Sequence, residues 1–331
     1  MTKPLQLLGA LALGVSLASA PALAETAKTA LDRPAMLSEK ASRTLLIDVA
    51  QVGKRVVAVG ERGHIVYSDD NGRNWKQAAV PVSVLLTGVY FATDTAGWAV
   101  GHDGVILHSA DAGATWTLQH SGREPAAEGK EGAPLLDVWF ADAQNGYAVG
   151  AYGYFLRTAD GGKTWINNAA AISNPDGWHL NSIAGVPASS TVFIAGEQGK
   201  LFRSADSGAT WAAIPSPFDG SLFGVSAIAP DLVLISGLQG RLFASSDEGG
   251  HWRQVQTGVS SGISAAARLV DGRVFVVGNA GVVLVAADNR LDLVSQVQSD
   301  RRSITAALPL SASELLVVGE GGAKVLQADS K

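Results

Sequence analysis

The chain has 331 residues, 47% of them hydrophobic and only 17% charged, with no cysteine and a formal net charge of −5 at pH 7. An acidic balance disfavours nucleic-acid binding, which depends on neutralising phosphates with Lys and Arg. The absence of Cys excludes disulfides and thiolate chemistry, so stability must come from the core itself.

Met1 to Lys3 give a weakly positive start, Leu5 to Leu17 form an apolar run, and Ala22-Leu23-Ala24 is a small-residue cleavage signal. Residues 1–24 are therefore predicted to be a secretory signal peptide, cleaved before Glu25, with export to the periplasm. The run is short and Ala/Gly-rich for a membrane span, and no later stretch approaches about 18 uncharged apolar residues. No stable membrane insertion is expected. Lys3 is the only charge in the leader, so its removal takes the net charge from −5 to −6.

The rest of the chain is an internal repeat, and its period decides the fold. A β-branched run ends in Gly, two variable residues follow, then a second Gly. The first glycines are Gly60, Gly101, Gly150, Gly196, Gly237, Gly278 and Gly319, spaced by 41, 49, 46, 41, 41 and 41 residues. Ten residues after each stands an acid: Asp70, Asp111, Asp160, Asp206, Asp247, Asp288 and Asp329. Each unit reads as four strands; in the third they are Leu136 to Phe140, Gly146 to Gly150, Tyr154 to Thr158 and Lys163 to Asn167. About 41 residues holding four short strands is a propeller blade. The fold is predicted to be an all-β, seven-bladed β-propeller over residues 45–331. The seventh unit stops after its third strand, Lys324 to Ala328. Residues 25–44, around Leu31 to Met36, are expected to supply the closing strand, because an unpaired sheet edge is a liability.

Five units carry S/T-x-D-x-G-x-x-W, as in Thr158 to Trp165 (TADGGKTW). This is the Asp-box, or BNR repeat. The acid accepts turn N–H groups, the Gly permits a positive φ, and the indole buries a large apolar area. The structural set is Asp70 with Trp75, Asp111 with Trp116, Asp160 with Trp165, Asp206 with Trp211, and Asp247 with Trp252. In the sixth unit Leu293 replaces the Trp. An acid repeated at one place in every unit suits scaffolding, since a catalytic site is normally single.

Units such as Leu135 to Trp165 (LLDVWFADAQNGYAVGAYGYFLRTADGGKTW) resemble the photosystem II stability and assembly factor family, from about Leu45 to Asp329. The resemblance implies a seven-bladed propeller exported across a membrane. Photosynthetic members act in the thylakoid lumen as assembly chaperones for a reaction-centre membrane protein. Many relatives occur in bacteria without photosynthesis, and for some of them the resemblance implies a link to membrane transport or envelope systems. The implied function is a non-enzymatic scaffold whose protein partner belongs to a membrane or envelope complex. No cofactor is expected, and the chain is expected to be a monomer.

Asp-boxes also occur in sialidases and other glycoside hydrolases, so a carbohydrate-active propeller, hydrolase or lectin, is the alternative. A sialidase needs an arginine cluster for the substrate carboxylate and a Tyr nucleophile. Of the five tyrosines, Tyr67, Tyr90, Tyr147 and Tyr154 fall within repeat strands, and only Tyr152 lies on a loop. A carboxylate pair with arginines facing the central channel would favour hydrolysis, and no such pair stands out from the repeat. Metal chemistry has little support: the six His residues lack ligand spacing apart from a loose His102 and His108.

Loops joining second and third strands share one propeller face with the blade connectors. The two residues between the paired glycines therefore line that face. They supply the partner-binding candidates Glu61, Arg62, His102, Asp103, Tyr152, Glu197, Gln198, Gln239, Asn279 and Glu320. A constant framework with variable tips suits recognition; unconstrained drift of exposed tips is the alternative. Both insertions, Ser121 to Pro134 and Ala169 to His179, fall between blades on that face, and the second brings Trp178. Trp178 is expected either as an exposed anchor or folded onto the rim. Arg157 and Arg203, seven residues after the first Gly of adjacent units, offer a basic stripe or a solvated strand face.

Overall fold

The computed structural model describes residues 29–124 and 129–327. Residues 1–24, read as a signal peptide, lie outside this range, as does Asp329. The described chain forms seven antiparallel sheets in chain order, with three-residue 3-10 turns and no α-helix. Six blades have four strands and the seventh has three, Ile304–Pro309, Glu314–Gly319 and Lys324–Gln327. In the third blade the strands run Leu135–Phe140, Gly146–Gly150, Phe155–Thr158 and Ile166–Asn167. They match the expected strands within a residue, except that the fourth is shorter because the Asp-box turn occupies its start.

Each second strand, such as Gly146–Gly150, is buried on both faces. Blades cover it from either side, which is why its sequence is an unbroken apolar run rather than an alternation. The first strands face inward. There, Thr305 Oγ1 of the seventh blade donates to Leu46 O of the first at 3.0 Å, joining the two ends of the repeat. Outside, Arg73 of the first blade pairs with Glu314 of the seventh at 3.2 Å.

The paired glycines are dictated by close approach. A Cβ on Gly150 would collide with the Pro134 carbonyl, and Gly153, at φ +71°, lies against Asn174 and Gly177 of the next connector. In the seventh blade the same place beside Gly322 is taken by Ser42 and Arg43, and Ala323 N donates to Ser42 O at 2.9 Å. The N-terminal segment thus supplies the seventh-to-first connector.

Residues 30–38 do not lie on the third strand of the seventh blade. They follow the first blade: Ala35 N donates to Val80 O at 3.0 Å and Ser83 N to Ala30 O at 2.9 Å. The Gln77 amide accepts from Ser38 N at 2.7 Å and donates to Met36 O at 3.0 Å. A tight turn, with Ala41 N on Ser38 O and Arg43 N on Lys40 O, leads from this segment to Ser42 and Arg43 beside Gly322.

Candidate partner-binding face and central channel

The Asp-boxes are structural hubs. Asp160 Oδ1 accepts Thr164 N at 2.9 Å and Thr158 Oγ1 at 2.8 Å, while Oδ2 accepts Thr164 Oγ1 at 2.6 Å. These donors, Thr164 first, hold the Asp160 carboxyl down to about 2. Thr158 Oγ1 also accepts Asp160 N at 3.3 Å and Gly162 N at 2.9 Å. Asp70, Asp111, Asp206 and Asp247 repeat the pattern on Asn74, Thr115, Thr210 and His251. In the sixth blade the hydroxyl is lost to Ala286, and Asp288 accepts Arg290 N at 2.9 Å and the Arg290 guanidinium instead.

The indoles seal joints between blades rather than single hairpins. The Trp211 ring meets Tyr147 edge-on at 6.0 Å and Phe155 at 5.7 Å, both in the preceding blade. Trp252 meets Phe193 in the same way at 6.1 Å, and Trp75 packs with Leu316 and Val325 of the seventh blade. Trp116 and Trp165 are buried.

The loop-tip face has a regular backbone. Arg62, Asp103, Tyr152, Gln198, Gln239 and Ala280 all sit at φ between 51° and 57°. Non-glycine residues in this left-handed region cost of order 1 kcal/mol each. Arg62, His102, Tyr152, Gln198, Gln239, Asn279 and Glu320 are exposed, while Glu61, Asp103 and Glu197 are half-buried. Two tips have internal work. Glu197 Oε2 accepts His179 N at 3.1 Å, and Glu320 Oε2 accepts Ser303 N at 3.0 Å.

Trp178 is half-buried on the rim, its backbone clamped on both sides by Asn174 at 2.8 and 3.2 Å. The exposed aromatic of this region is Tyr152, 58% accessible and edge-on to His179 at 5.0 Å. Leu238, a tip residue, and Phe223, which the tip reading passed over, add apolar surface at 42% and 36% exposure. Arg157 and Arg203 are half-buried between blades. Arg203 Nη1 donates to Glu248 O of the next Asp-box at 3.0 Å. Arg157 Nε is enclosed without a partner.

The central channel is a cavity of about 460 Å³ lined by first strands of all seven blades. It holds what the repeat reading missed: two carboxylates, Asp48 and Asp137. Asp48 accepts Val49 N and, across the blade joint, Val89 N, both at 2.8 Å. Asp137 accepts Val138 N at 2.8 Å, then Ile183 N at 2.9 Å and Ser182 Oγ at 3.0 Å from the next blade. Burial raises Asp48 to about 7, reinforced by the charge of Asp137, and burial raises Asp137 to about 6. Two carboxylates thus face the channel, though not the expected mark of a hydrolase, a pair accompanied by an arginine cluster. The accompanying arginines are absent from the channel lining among the described residues. The carboxylates staple blades one to two and three to four. Both stand in Leu-x-Asp-Val, at Leu46–Val49 and Leu135–Val138. That short echo was the signal available in the sequence.

Seven sheets in a ring, with complete Asp-boxes on the outer hairpins of five of them, define a seven-bladed Asp-box β-propeller. Residues 66–77 match the BNR/Asp-box repeat, and residues 126–289 match the family described as photosynthesis system II assembly factor YCF48. The likeness to that family extends over the third to sixth blades. Solved structures share the fold. A YCF48 bound to D1 peptide aligns at TM-score 0.68 and 17% identity, covering 87% of this chain and 94% of that one. YCF48 from Cyanidioschyzon merolae gives 0.68 and 16%, covering 88% and 97%. An ancestral GH74 enzyme gives 0.63 and 13%, with 87% of this chain aligned to 45% of that one. No protein of curated function matches the chain. No helix among the described residues is long and apolar enough to cross a membrane.

Proposed function

We propose that this chain is an exported, non-enzymatic scaffold that binds a protein partner through its loop-tip face and assists assembly or stability of a membrane complex. The observation that carries the reading is the family match over residues 126–289. One structural neighbour was solved with a D1 peptide bound, so peptide binding has a precedent in this fold. The face itself supports it: one backbone geometry in six blades presents five different side-chain types, and Tyr152, Leu238 and Phe223 give it apolar surface. Placement in the periplasm follows from the leader sequence.

The channel carboxylates and the likeness to a GH74 fold favour a second reading, glycoside hydrolysis. Against it, both oxygens of each carboxylate accept backbone N–H groups, which suits structural stapling. The two readings separate in one set of assays. The scaffold reading expects Tyr152→Ala to weaken partner binding by about 2 kcal/mol, the scale of an aromatic hot spot, with an unchanged melt. A D1 peptide and a protein cross-linked from envelope extract are the probes. Hydrolysis of a glycoside panel that Asp48→Asn and Asp137→Asn abolish would replace the scaffold reading with the enzymatic one.

A further inference from the structure

The two channel carboxylates keep unused acceptor sites. Asp137 Oδ2 takes both Ile183 N and Ser182 Oγ, while Oδ1 takes only Val138 N. Asp48 takes one N–H on each oxygen, from Val49 and Val89. A carboxylate offers about four sites, two on each oxygen. One site therefore remains on Asp137 and two on Asp48. The residues lining the cavity include no Lys, Arg or His to use them.

The two groups meet at the second blade. Asp48 crosses to Val89 N, and the preceding residue, Gly88, lies against Asp137. A Cβ on Gly88 would stand 3.3 Å from Asp137 Oδ1, the oxygen with the free site. Gly88 is not among the glycines at positive φ, so its backbone does not demand glycine. Its missing side chain keeps that oxygen clear.

The way in is apolar. Leu46, Leu135 and Leu222 pair with Gly60, Gly150 and Gly237, the glycines that open the loop tips. The next residues, Ile47, Leu136 and Phe223, therefore stand at the loop-tip end of the channel, and all three line it. Asp48 and Asp137 follow one residue further in, about 3.3 Å along the strand. Both are half-buried and reached from the cavity, which at about 460 Å³ has the size of a small-ligand site.

An apolar entrance above carboxylates fits a long aliphatic stem with a cationic head. The free acceptors choose between the two such side chains. A guanidinium grips a carboxylate as a fork across both oxygens, and Asp137 Oδ2 is already full. An ammonium is a compact charge with three donors, and the two acids together leave three sites.

We propose that the channel is a receptor for a primary alkylammonium group, the lysine side chain of a protein docked on the loop-tip face. The inference rests on the docking reading only for the source of that lysine. The stem lies against Leu136 and Phe223, and the ammonium bridges Asp48 and Asp137. The acids are the titratable side chains of the lining. Since they titrate at about 7 and about 6, both are charged near pH 8 and both are protonated near pH 5.

Amide NMR of Val49, Val89, Val138 and Ile183, whose N–H groups bind the two carboxylates, reads the site directly. N-acetyl-lysine methylamide should shift these signals in a saturable titration at pH 8, and the uncharged norleucine analogue should not. Asp48→Asn and Asp137→Asn should each weaken binding by about tenfold, the worth of one charge-assisted hydrogen bond. Asp94→Asn, on an exposed hairpin away from the channel, should leave it unchanged. Lowering the pH to 5 should weaken binding to the parent at least as much, a readout that needs no variant. Free cadaverine should bind more weakly than the lysine amide, because its second charge would sit in the apolar entrance. Equal shifts from norleucine, or lysine binding indifferent to both Asp variants and to pH, would overturn the proposal. Tighter binding of cadaverine would overturn the lysine as ligand and assign the site to a free polyamine. Tyr152 is not part of the lining, so Tyr152→Ala should leave lysine-amide binding unchanged, and a failed docking face and a failed channel site are separate results.

Discussion

The Thr158 hydroxyl organises one hairpin end. It donates to Asp160 and accepts two backbone N–H groups, one of them the buried Gly162 N. Thr158→Val keeps the shape and strands both donors, so it should cost about 2 kcal/mol in a denaturant titration. Asp48 is a residue-scale case of the opposite kind. Its folded pKa, about 7, lies above the unfolded value near 3.8, so the folded state holds the extra proton. Its ionisation therefore erodes stability as pH rises from about 4 through 7. His120, pushed by burial down to about 4, works in the other direction over part of that window. The clean readout is thus a difference. Asp48→Asn should gain stability relative to the parent between pH 5 and pH 8, and a pH-independent difference would contradict the burial argument.

At the level of the element, the Asp-box turn acts on the blade before it. Gly208, at φ +89°, faces the Tyr147 ring of the third blade so closely that a Cβ would overlap it. Gly258, at φ +67°, has nothing within 4 Å. Gly258→Ala should therefore cost about 1 kcal/mol, the left-handed backbone alone, and Gly208→Ala about 3 kcal/mol or more, with overpacking added. Equal melting points for the two would mean the joint yields freely. The sequence made the blades legible because each strand leaves a local mark: an apolar run, paired glycines, an acid ten residues on. It did not reveal that Trp211 and Trp252 pack on the preceding blade. That contact joins residues distant in sequence, and no local pattern encodes it. Trp178 shows the same limit, since its half-buried position depends on Asn174 folding the insertion back.

For the whole molecule, the ring depends on contacts between its two ends, and Thr305 is one of them. Thr305→Val leaves the Leu46 carbonyl without this donor and should lower the melting midpoint, with no effect on partner binding at the loop tips. The candidate face was legible because the period identifies every tip. The channel pair was not, because two acids in seven first strands do not make a period, and only ring closure brings blades one and three to a common cavity. The central claim, that a protein docks on the loop-tip face, is tested most directly by site-specific photocross-linking in envelope extract. A photoreactive residue replaces Tyr152 on the face or Ile166 on the outer edge, which is comparably exposed at 56% against 58%. The account predicts a discrete protein adduct from position 152 and none from position 166. An adduct from position 166 alone, or equal labelling from both, would contradict it.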